Sequence, residues 1–278
     1  MGSQILLVEC RDRPGLVHLI TGVLFRRELN IVGNQEFVDG ESARFFMRTE
    51  FDGGDDTPAL IAEVRGVLPV DAIVRLSEPA RKRLVVLASK EHHCLADLLV
   101  RHEFGELNAR ILAVASNHDT LAGLVAKFEL PFHHVSHEGM DRQKHEAGLL
   151  RILGGYEPEL VVLAKYLRIL SPDFVAHFPS RLLNIHHSFL PAFEGARPYQ
   201  QAFQRGVKVI GATAHFVTDE LDKGPIIVQQ VIPVDHTHTA QDLAQAGRDV
   251  EQLALARALK LVLEDRVFLC GNRTVIFD

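Results

Sequence analysis

Short apolar runs recur along the chain, and each is separated from the next by sequence with helical spacing. The runs are Leu84–Ala88, Ile111–Ala115, Val161–Ala164 and Leu182–Ile185. Short continuous apolar runs are typical of strands buried on both faces, and strands that alternate with helices form parallel sheets. We therefore expect an α/β domain with a doubly wound, mostly parallel sheet of Rossmann-like character.

A long helix is predicted near the C-terminus of this region. Apolar residues recur at helical spacing from Leu243 to Leu261, and Thr239-Ala240-Gln241-Asp242 predicts a capping box at the start of the helix.

The residues before about position 80 predict a separate βαββαβ unit. Asp12 is placed to cap its first helix, with Pro14 in the first turn. The polar stretch 77–83 predicts a linker, so we expect domains at 1–80 and 83–278. The predicted strands are Ile5–Val8, Asn30–Phe37, Ala43–Phe51 and Asp71–Leu76, and the helices are Leu16–Leu24 and Pro58–Leu68.

A candidate site lies in Asn184-Ile185-His186 and the later Leu221-Asp222-Lys223-Gly224-Pro225. In a strand, Asn184 and His186 face one side, and we expect Pro191 to end that strand. Parallel sheets place their chemistry at such carboxyl ends. An amide, an imidazole and a carboxylate suit attack on an acyl-type carbonyl. By themselves, however, both segments are also compatible with ordinary turns.

Residues 184–191, 211–217 and 221–227, taken in order, resemble the formyl-transferase fold family. That family acts on 10-formyltetrahydrofolate, and the resemblance implies a catalytic triad of Asn184, His186 and Asp222. Residues 163–170 resemble its folate-binding segment, which implies that Leu167, Arg168 and Leu170 bind substrate.

Within the family, the resemblance is strongest to the formyltetrahydrofolate deformylases. It rests on residues 89–99, 117–121, 135–139, 189–199 and 271–274. It implies hydrolysis of 10-formyltetrahydrofolate to formate and tetrahydrofolate, supplying formate for purine synthesis and balancing one-carbon pools. Lys90, His118 and His137 are further candidate substrate-binding residues.

The N-terminal unit resembles an ACT domain, which implies an amino-acid effector and a homo-oligomer. Asp12, Pro14 and Gly15 are its candidate effector-binding residues, because backbone N–H groups at a helix start can hold a carboxylate. A plain helix cap is an equally good reading of the same residues.

Composition excludes several classes of partner. A formal net charge of −6 argues against a nucleic-acid partner, and no apolar run is long enough for a membrane span. The start Met1-Gly2-Ser3-Gln4 does not have the pattern of a signal peptide. The three scattered cysteines favour a reducing cytoplasm over a disulfide framework. The histidine clusters lack metal-ligand spacing, so we expect no metal. The resemblance implies no cofactor, since 10-formyltetrahydrofolate is the substrate.

A hydrolase is favoured over a formyltransferase because of the turn after the first predicted strand of the second domain. In the ribonucleotide formyltransferases this turn is rich in glycine and binds phosphate, whereas Ser89–Cys94 has no glycine and contains Glu91. Transfer to an amine such as glycinamide ribonucleotide remains the alternative. A folate sensor without catalytic activity is a third possibility.

Overall fold

The computed structural model describes residues 3–53, 57–77, 81–191 and 198–278. The chain forms two compact units, one of Met1–Ala80 with Glu264–Asp278 and one of Arg81–Leu263. Residues 78–80 of the predicted linker and residues 192–197 of the stretch 189–199 lie outside the described residues. Within the described ranges, no helix combines the length and apolar character needed to cross a membrane.

The first unit confirms the predicted βαββαβ order. Its antiparallel sheet has the strand order β2-β3-β1-β4. Buried side chains of α1, including Ile20 and Val23, pack with Leu6 and Val8 of β1 in one apolar cluster. The elements are β1 (Gln4–Arg11), α1 (Leu16–Arg26), β2 (Asn30–Asp39), β3 (Arg44–Asp52), α2 (Thr57–Val67) and β4 (Ile73–Ser77).

The start of α1 corrects one expectation. The residue that precedes the helix is Gly15, with φ at 89°, and no side chain caps the helix. Glycine adopts this left-handed conformation without steric cost. The prediction that Asp12 caps the helix is therefore wrong, because the helix begins only at Leu16 and leaves Pro14 outside its first turn.

The C-terminal tail groups with the first unit, which differs from the expected boundary at 278 for the second domain. The tail forms a hairpin of β12 (Val267–Cys270) and β13 (Arg273–Ile276). Phe268 lies edge-on to Phe46, with ring centroids 5.6 Å apart, and Phe277 joins the same cluster. Burial of these rings explains the grouping.

The second unit is built on a seven-stranded sheet of order β11-β10-β9-β8-β5-β6-β7. The strands from β5 to β9 run parallel to one another. Beyond β9, β10 pairs antiparallel with β9, and β11 pairs antiparallel with β10. The doubly wound, mostly parallel sheet is thereby confirmed. The strands are β5 (Lys82–Ala88), β6 (Ala109–Ser116), β7 (Phe132–His134), β8 (Leu160–Ala164), β9 (Leu182–His186), β10 (Val209–Phe216) and β11 (Ile226–Pro233).

Helices connect these strands, and the predicted capping box is confirmed at the last one. The Asp242 N–H donates to Thr239 Oγ1 over 3.2 Å, and the Thr239 N–H donates to Asp242 Oδ2 over 2.8 Å. The helices are α3 (His93–Glu103), α4 (Ala122–Ala126), α5 (Arg142–Tyr156), α6 (Pro172–Ala176), α7 (Pro198–Arg205) and α8 (Ala240–Leu263).

Candidate active site

The site is built where β9 ends between a parallel and an antiparallel neighbour. β9 ends at His186, before Pro191, so the proline does not terminate the strand as expected. Asn184 is registered directly opposite His215 on β10. Residues in such a pair share one face of the sheet, and Asn184 Nδ2 lies 3.2 Å from His215 Nε2.

The carboxylate of Asp222 completes this group from the turn after β10. Its Oδ1 lies 3.3 Å from His186 Nδ1 and 3.7 Å from His215 Nε2. Burial alone would raise the pKa of Asp222, but the hydrogen bond with His186 and the nearby imidazoles lower it below its usual value. The carboxylate is therefore held in its ionised form beside His186.

Gly224 explains how the turn returns Asp222 to the sheet. The Phe216 N–H donates to the carbonyl of Pro225 over 2.9 Å, so the chain folds back onto the end of β10. A Cβ atom at Gly224 would collide with the carbonyl oxygen of Phe216. The motif Leu221–Pro225 therefore needs glycine at this position because the two backbones approach closely.

The surroundings of His215 fix its tautomer. Its Nδ1 lies 2.9 Å from the carbonyl oxygen of Phe216 and must carry the ring proton. Burial lowers the pKa of His215, which favours the neutral ring. Its Nε2 is then an acceptor that takes one N–H of the Asn184 amide, leaving the second N–H of that amide for another partner.

The two ring nitrogens of His186 have different surroundings. Nδ1 faces Asp222, and the buried Nε2 has no hydrogen-bond partner among the described residues. A buried nitrogen without a partner is costly unless a ligand or water satisfies it. Nε2 is thus the atom of His186 that can serve a bound molecule.

A cavity of about 1400 Å³ adjoins these groups. Asn184, His186, Asp222 and His215 all line it. Of the predicted substrate-binding residues, it is lined by Lys90, Leu167, Arg168 and Leu170.

His118 and His137 do not line this cavity. Their rings contact each other edge-on with centroids 5.1 Å apart. His118 follows β6 and His137 follows β7, on the opposite side of β5 from β8 and β9. Direct contact of these two histidines with substrate stays a prediction. Their position away from the cavity lining does not support it.

A buried charged network at the cavity wall was not anticipated from the sequence. Glu251 on α8 is 1% exposed and accepts from Tyr199 Oη at 2.6 Å. Its Oε2 also lies 2.7 Å from His93 Nε2 and 3.1 Å from Lys165 Nζ. Although burial would raise its pKa, the hydrogen bond with His93 and the charge of Lys165 lower the pKa of Glu251 to about 2.

The same network bears on metal binding. Ligand atoms of His93, Cys94 and Glu251 lie within 4.8 Å of one another. The Lys165 ammonium already faces Glu251, and burial raises the pKa of the Cys94 thiol. A neutral thiol and a nearby ammonium both disfavour the binding of a metal cation. The contacts of Glu251 with His93 and Lys165 are therefore those of an ion-pair network.

The candidate effector residues lie in the first unit, between β1 and α1. Gly15 precedes the helix, and its carbonyl accepts from the N–H of Leu19 at 3.0 Å. No capping side chain accepts a hydrogen bond from the first-turn N–H groups of α1. Effector binding by Asp12, Pro14 and Gly15 stays a prediction.

Comparison with known proteins places this geometry in a family. A formyl transferase family model matches residues 82–259, and an ACT domain model matches residues 4–68. The formyltetrahydrofolate deformylase of Escherichia coli K12 is 53% identical over 98% of both chains. The Bacillus subtilis protein of the same name is 43% identical over 98% of this chain and 93% of its own.

Solved structures agree with these matches. A formyltetrahydrofolate deformylase from Pseudomonas syringae superposes with a TM-score of 0.96 at 40% identity, covering 99% of this chain and 94% of that one. A glycinamide ribonucleotide transformylase from Symbiobacterium toebii gives 0.69 at 32% identity, covering 73% and 97%. The chain belongs to the formyltetrahydrofolate deformylase family, with an ACT domain followed by a formyl transferase domain.

Proposed function

We propose that this chain hydrolyses 10-formyltetrahydrofolate to formate and tetrahydrofolate, with Asn184, His186 and Asp222 as its catalytic residues. The observation that carries the proposal is the convergence of these three side chains at one cavity, beside the segment 165–170. Near full-length similarity to proteins named formyltetrahydrofolate deformylase supports the same substrate.

The reaction begins when water attacks the formyl carbon, forming a tetrahedral intermediate whose former carbonyl oxygen carries negative charge. The free N–H of the Asn184 amide stabilises this oxyanion, and a donor of this kind is typically worth about 3 kcal/mol of barrier. Because His215 already takes the other N–H, the amide is oriented before the substrate arrives.

The proton of the attacking water passes to N10 through the pair formed by Asp222 and His186. Asp222 is ionised and orients the water. The buried Nε2 of His186, which has no partner among the described residues, is the nitrogen that exchanges the proton with the substrate. Collapse of the intermediate breaks the C–N bond as N10 receives this proton. The product leaves as formic acid, which loses its remaining proton to solvent and becomes formate. General acid–base catalysis of this type contributes roughly 10²–10⁴-fold to the rate.

The folate occupies the wall formed by residues 165–170. Leu167 and Ile169 are 57% and 55% exposed, so they offer apolar surface to a ring. Backbone N–H and C=O groups of an irregular segment suit the donors and acceptors of a pterin. Arg168, Leu170 and Lys90 line the same cavity and are included in this binding site.

Transfer of the formyl group to an amine such as glycinamide ribonucleotide is the alternative, suggested by the more distant structural match to the Symbiobacterium transformylase. The turn 89–94 opposes it, because it lacks glycine and presents the Glu91 carboxylate at the cavity. Measuring formate released from 10-formyltetrahydrofolate without any amine separates the two. Release supports hydrolysis, and release that requires an added amine supports transfer.

The physiological part of the proposal follows from the reaction. Formate released in the cytoplasm would supply purine synthesis and rebalance one-carbon pools, without a further cofactor. An amino acid bound to the ACT domain would regulate the enzyme, and isothermal titration of the whole chain with free amino acids tests this. Absence of binding heat for all of them would leave the domain a structural role.

Assembly into a homo-oligomer is also proposed. β2 is an edge strand of the first unit, and it exposes Val32, Phe37 and Val38 at 51%, 44% and 43%. Exposed apolar edge strands favour pairing with a second copy. Light scattering after size-exclusion chromatography should give a multiple of 31.0 kDa. A monomer at all concentrations would contradict this.

A further inference from the structure

Three stretches that carry the deformylase resemblance meet in one hydrogen-bonded chain outside the catalytic group. They contribute Ser89, Asn117 and His137. Ser89 follows β5 and Asn117 follows β6, and β5 lies between β6 and β8 in the sheet. A side chain placed just after β5 can therefore reach both the turn after β6 and the segment after β8.

The segment after β8 depends on such contacts. Residues 165–170 form neither helix nor strand, so their backbone groups need partners outside regular secondary structure. The N–H of Leu167 donates to Ser89 Oγ over 3.0 Å. Just beyond the segment, the N–H of Ser171 donates to Glu146 Oε1 over 2.8 Å. The segment is thus attached near both ends.

The direction of each bond in the chain follows from the first. A backbone N–H can only donate, so Ser89 Oγ accepts from Leu167 and gives its own proton elsewhere. It donates to Asn117 Oδ1 at 2.7 Å. This contact turns the amide nitrogen of Asn117 toward His137 Nδ1, 3.4 Å away. Each member therefore orients the next.

Burial makes these bonds matter. Ser89 is 2% exposed and Asn117 is 4% exposed, so water cannot readily replace a lost partner. An unsatisfied buried donor or acceptor costs about 1–3 kcal/mol. Ser116 adds a tie between the two turns, since its Oγ donates to the Ser89 carbonyl over 3.1 Å.

We infer that Ser89 and Asn117 are positioning residues for folate binding, holding Leu167 and the rest of segment 165–170 in the conformation that receives the pterin ring. The inference rests on the proposed function, because it assigns the ring to this segment. It also gives His137 an indirect role through Asn117. These hydrogen bonds affect the affinity for substrate, since Ser89, Asn117 and His137 do not belong to the catalytic group.

Steady-state kinetics of Ser89→Ala tests this inference. We expect KM for 10-formyltetrahydrofolate to rise about tenfold, the equivalent of one lost buried bond, with kcat within about twofold of wild type. Retained kcat also shows that the variant folds. Ser89→Thr keeps the hydroxyl and should recover most of the affinity. Thr237→Ala removes an exposed hydroxyl that bonds Asp235, and serves as the matched control.

A double variant tests whether Ser89 and Asn117 act as one unit. If they do, Ser89→Ala combined with Asn117→Ala raises KM no further than the more damaging single change. Independent, additive effects would contradict a shared chain. An unchanged KM in Ser89→Ala, or a loss confined to kcat, would overturn the inference.

Hydrogen exchange separates this inference from the proposed function. In Ser89→Ala, the amide of Leu167 should exchange faster than in wild type, while amides of β5 and β6 stay protected. Unchanged exchange at Leu167 would refute the anchor whatever the enzyme catalyses. A wild-type chain that releases no formate would instead refute the proposed function, and the exchange result would still decide the anchor.

Discussion

The contact between Asn184 and His215 links the structure of the site to its proposed chemistry. A side-chain carboxamide can rotate so that its oxygen and nitrogen exchange places. Only a partner with a defined donor or acceptor atom selects one of the two orientations. His215 makes that selection because its Nδ1 proton is committed to the Phe216 carbonyl. The amide nitrogen of Asn184 is consequently directed to Nε2.

Replacing His215 by phenylalanine removes this acceptor while keeping a ring of similar size. We expect kcat to fall about 10- to 100-fold, because the oxyanion donor is no longer oriented, with KM changing little. Steady-state assays of formate release measure kcat and KM separately. Equal loss of folate binding and turnover would instead indicate a general packing defect.

Asp222→Asn keeps the shape of the side chain and removes its charge. We expect binding of tetrahydrofolate to persist while turnover falls by roughly 10²–10⁴-fold. Equilibrium binding and initial rates on the same preparation measure both quantities. Asp173→Asn, at an exposed position on α6, is the matched control and should behave as wild type. A near-normal kcat in Asp222→Asn would remove this residue from the mechanism.

At the scale of elements, the turn from β10 to β11 determines whether the carboxylate reaches the site. Gly224→Ala introduces a Cβ against the Phe216 carbonyl, so the turn must move. Because Asp222 lies two residues earlier, we expect both turnover and thermal stability to drop. Gly154→Ala is the control, since that helical glycine faces open space and alanine favours helix there. Full activity in Gly224→Ala would show that the turn is not constrained.

Glu251 couples α8 to the end of β8 through Lys165 and to α3 through His93. Its pKa is lowered from 4.5 to about 2, so its contribution to stability is complete above pH 4.5. That contribution is lost as pH falls from 4.5 toward about 2. The difference between the two values corresponds to about 3 kcal/mol of the free energy of unfolding at pH 7.

Glu251→Gln should therefore lower stability at pH 7 by about 3 kcal/mol or more, because Lys165 also loses its buried partner. Its stability should decline less than that of wild type between pH 4.5 and 2. Urea unfolding at several pH values measures both effects. Glu103→Gln, an exposed change on α3, provides the control. Parallel stability curves for wild type and Glu251→Gln would contradict the pairing.

For the whole molecule, the sequence predicts the layers of the fold better than the details of the site. Apolar runs locate the buried parallel strands because burial on both faces leaves a direct compositional signal. Asn184 and His186 follow from period-two spacing in one strand. Asp222 needed the family resemblance, since nothing local distinguishes its turn from an ordinary one.

The residues that were missed share a physical cause. His215 lies opposite Asn184 because β10 is antiparallel to β9 in one particular register, and the pattern of a single strand carries no information on register. Glu251 lies on a helix whose apolar stripe is clear, yet its partners come from three distant elements. The tail similarly shows apolar residues at 268 and 277 without indicating that Phe46 is their partner.

In the proposed reaction, water held by Asn184, His186 and Asp222 replaces an amine as the acceptor of the formyl group. A reaction of the purified chain with 10-formyltetrahydrofolate in ¹⁸O-labelled water, without any amine, tests this. We expect wild type to release formate carrying one ¹⁸O atom for each tetrahydrofolate formed, and Asp222→Asn to release almost none. Tetrahydrofolate formed without labelled formate, or no reaction by wild type until an amine is added, would contradict it.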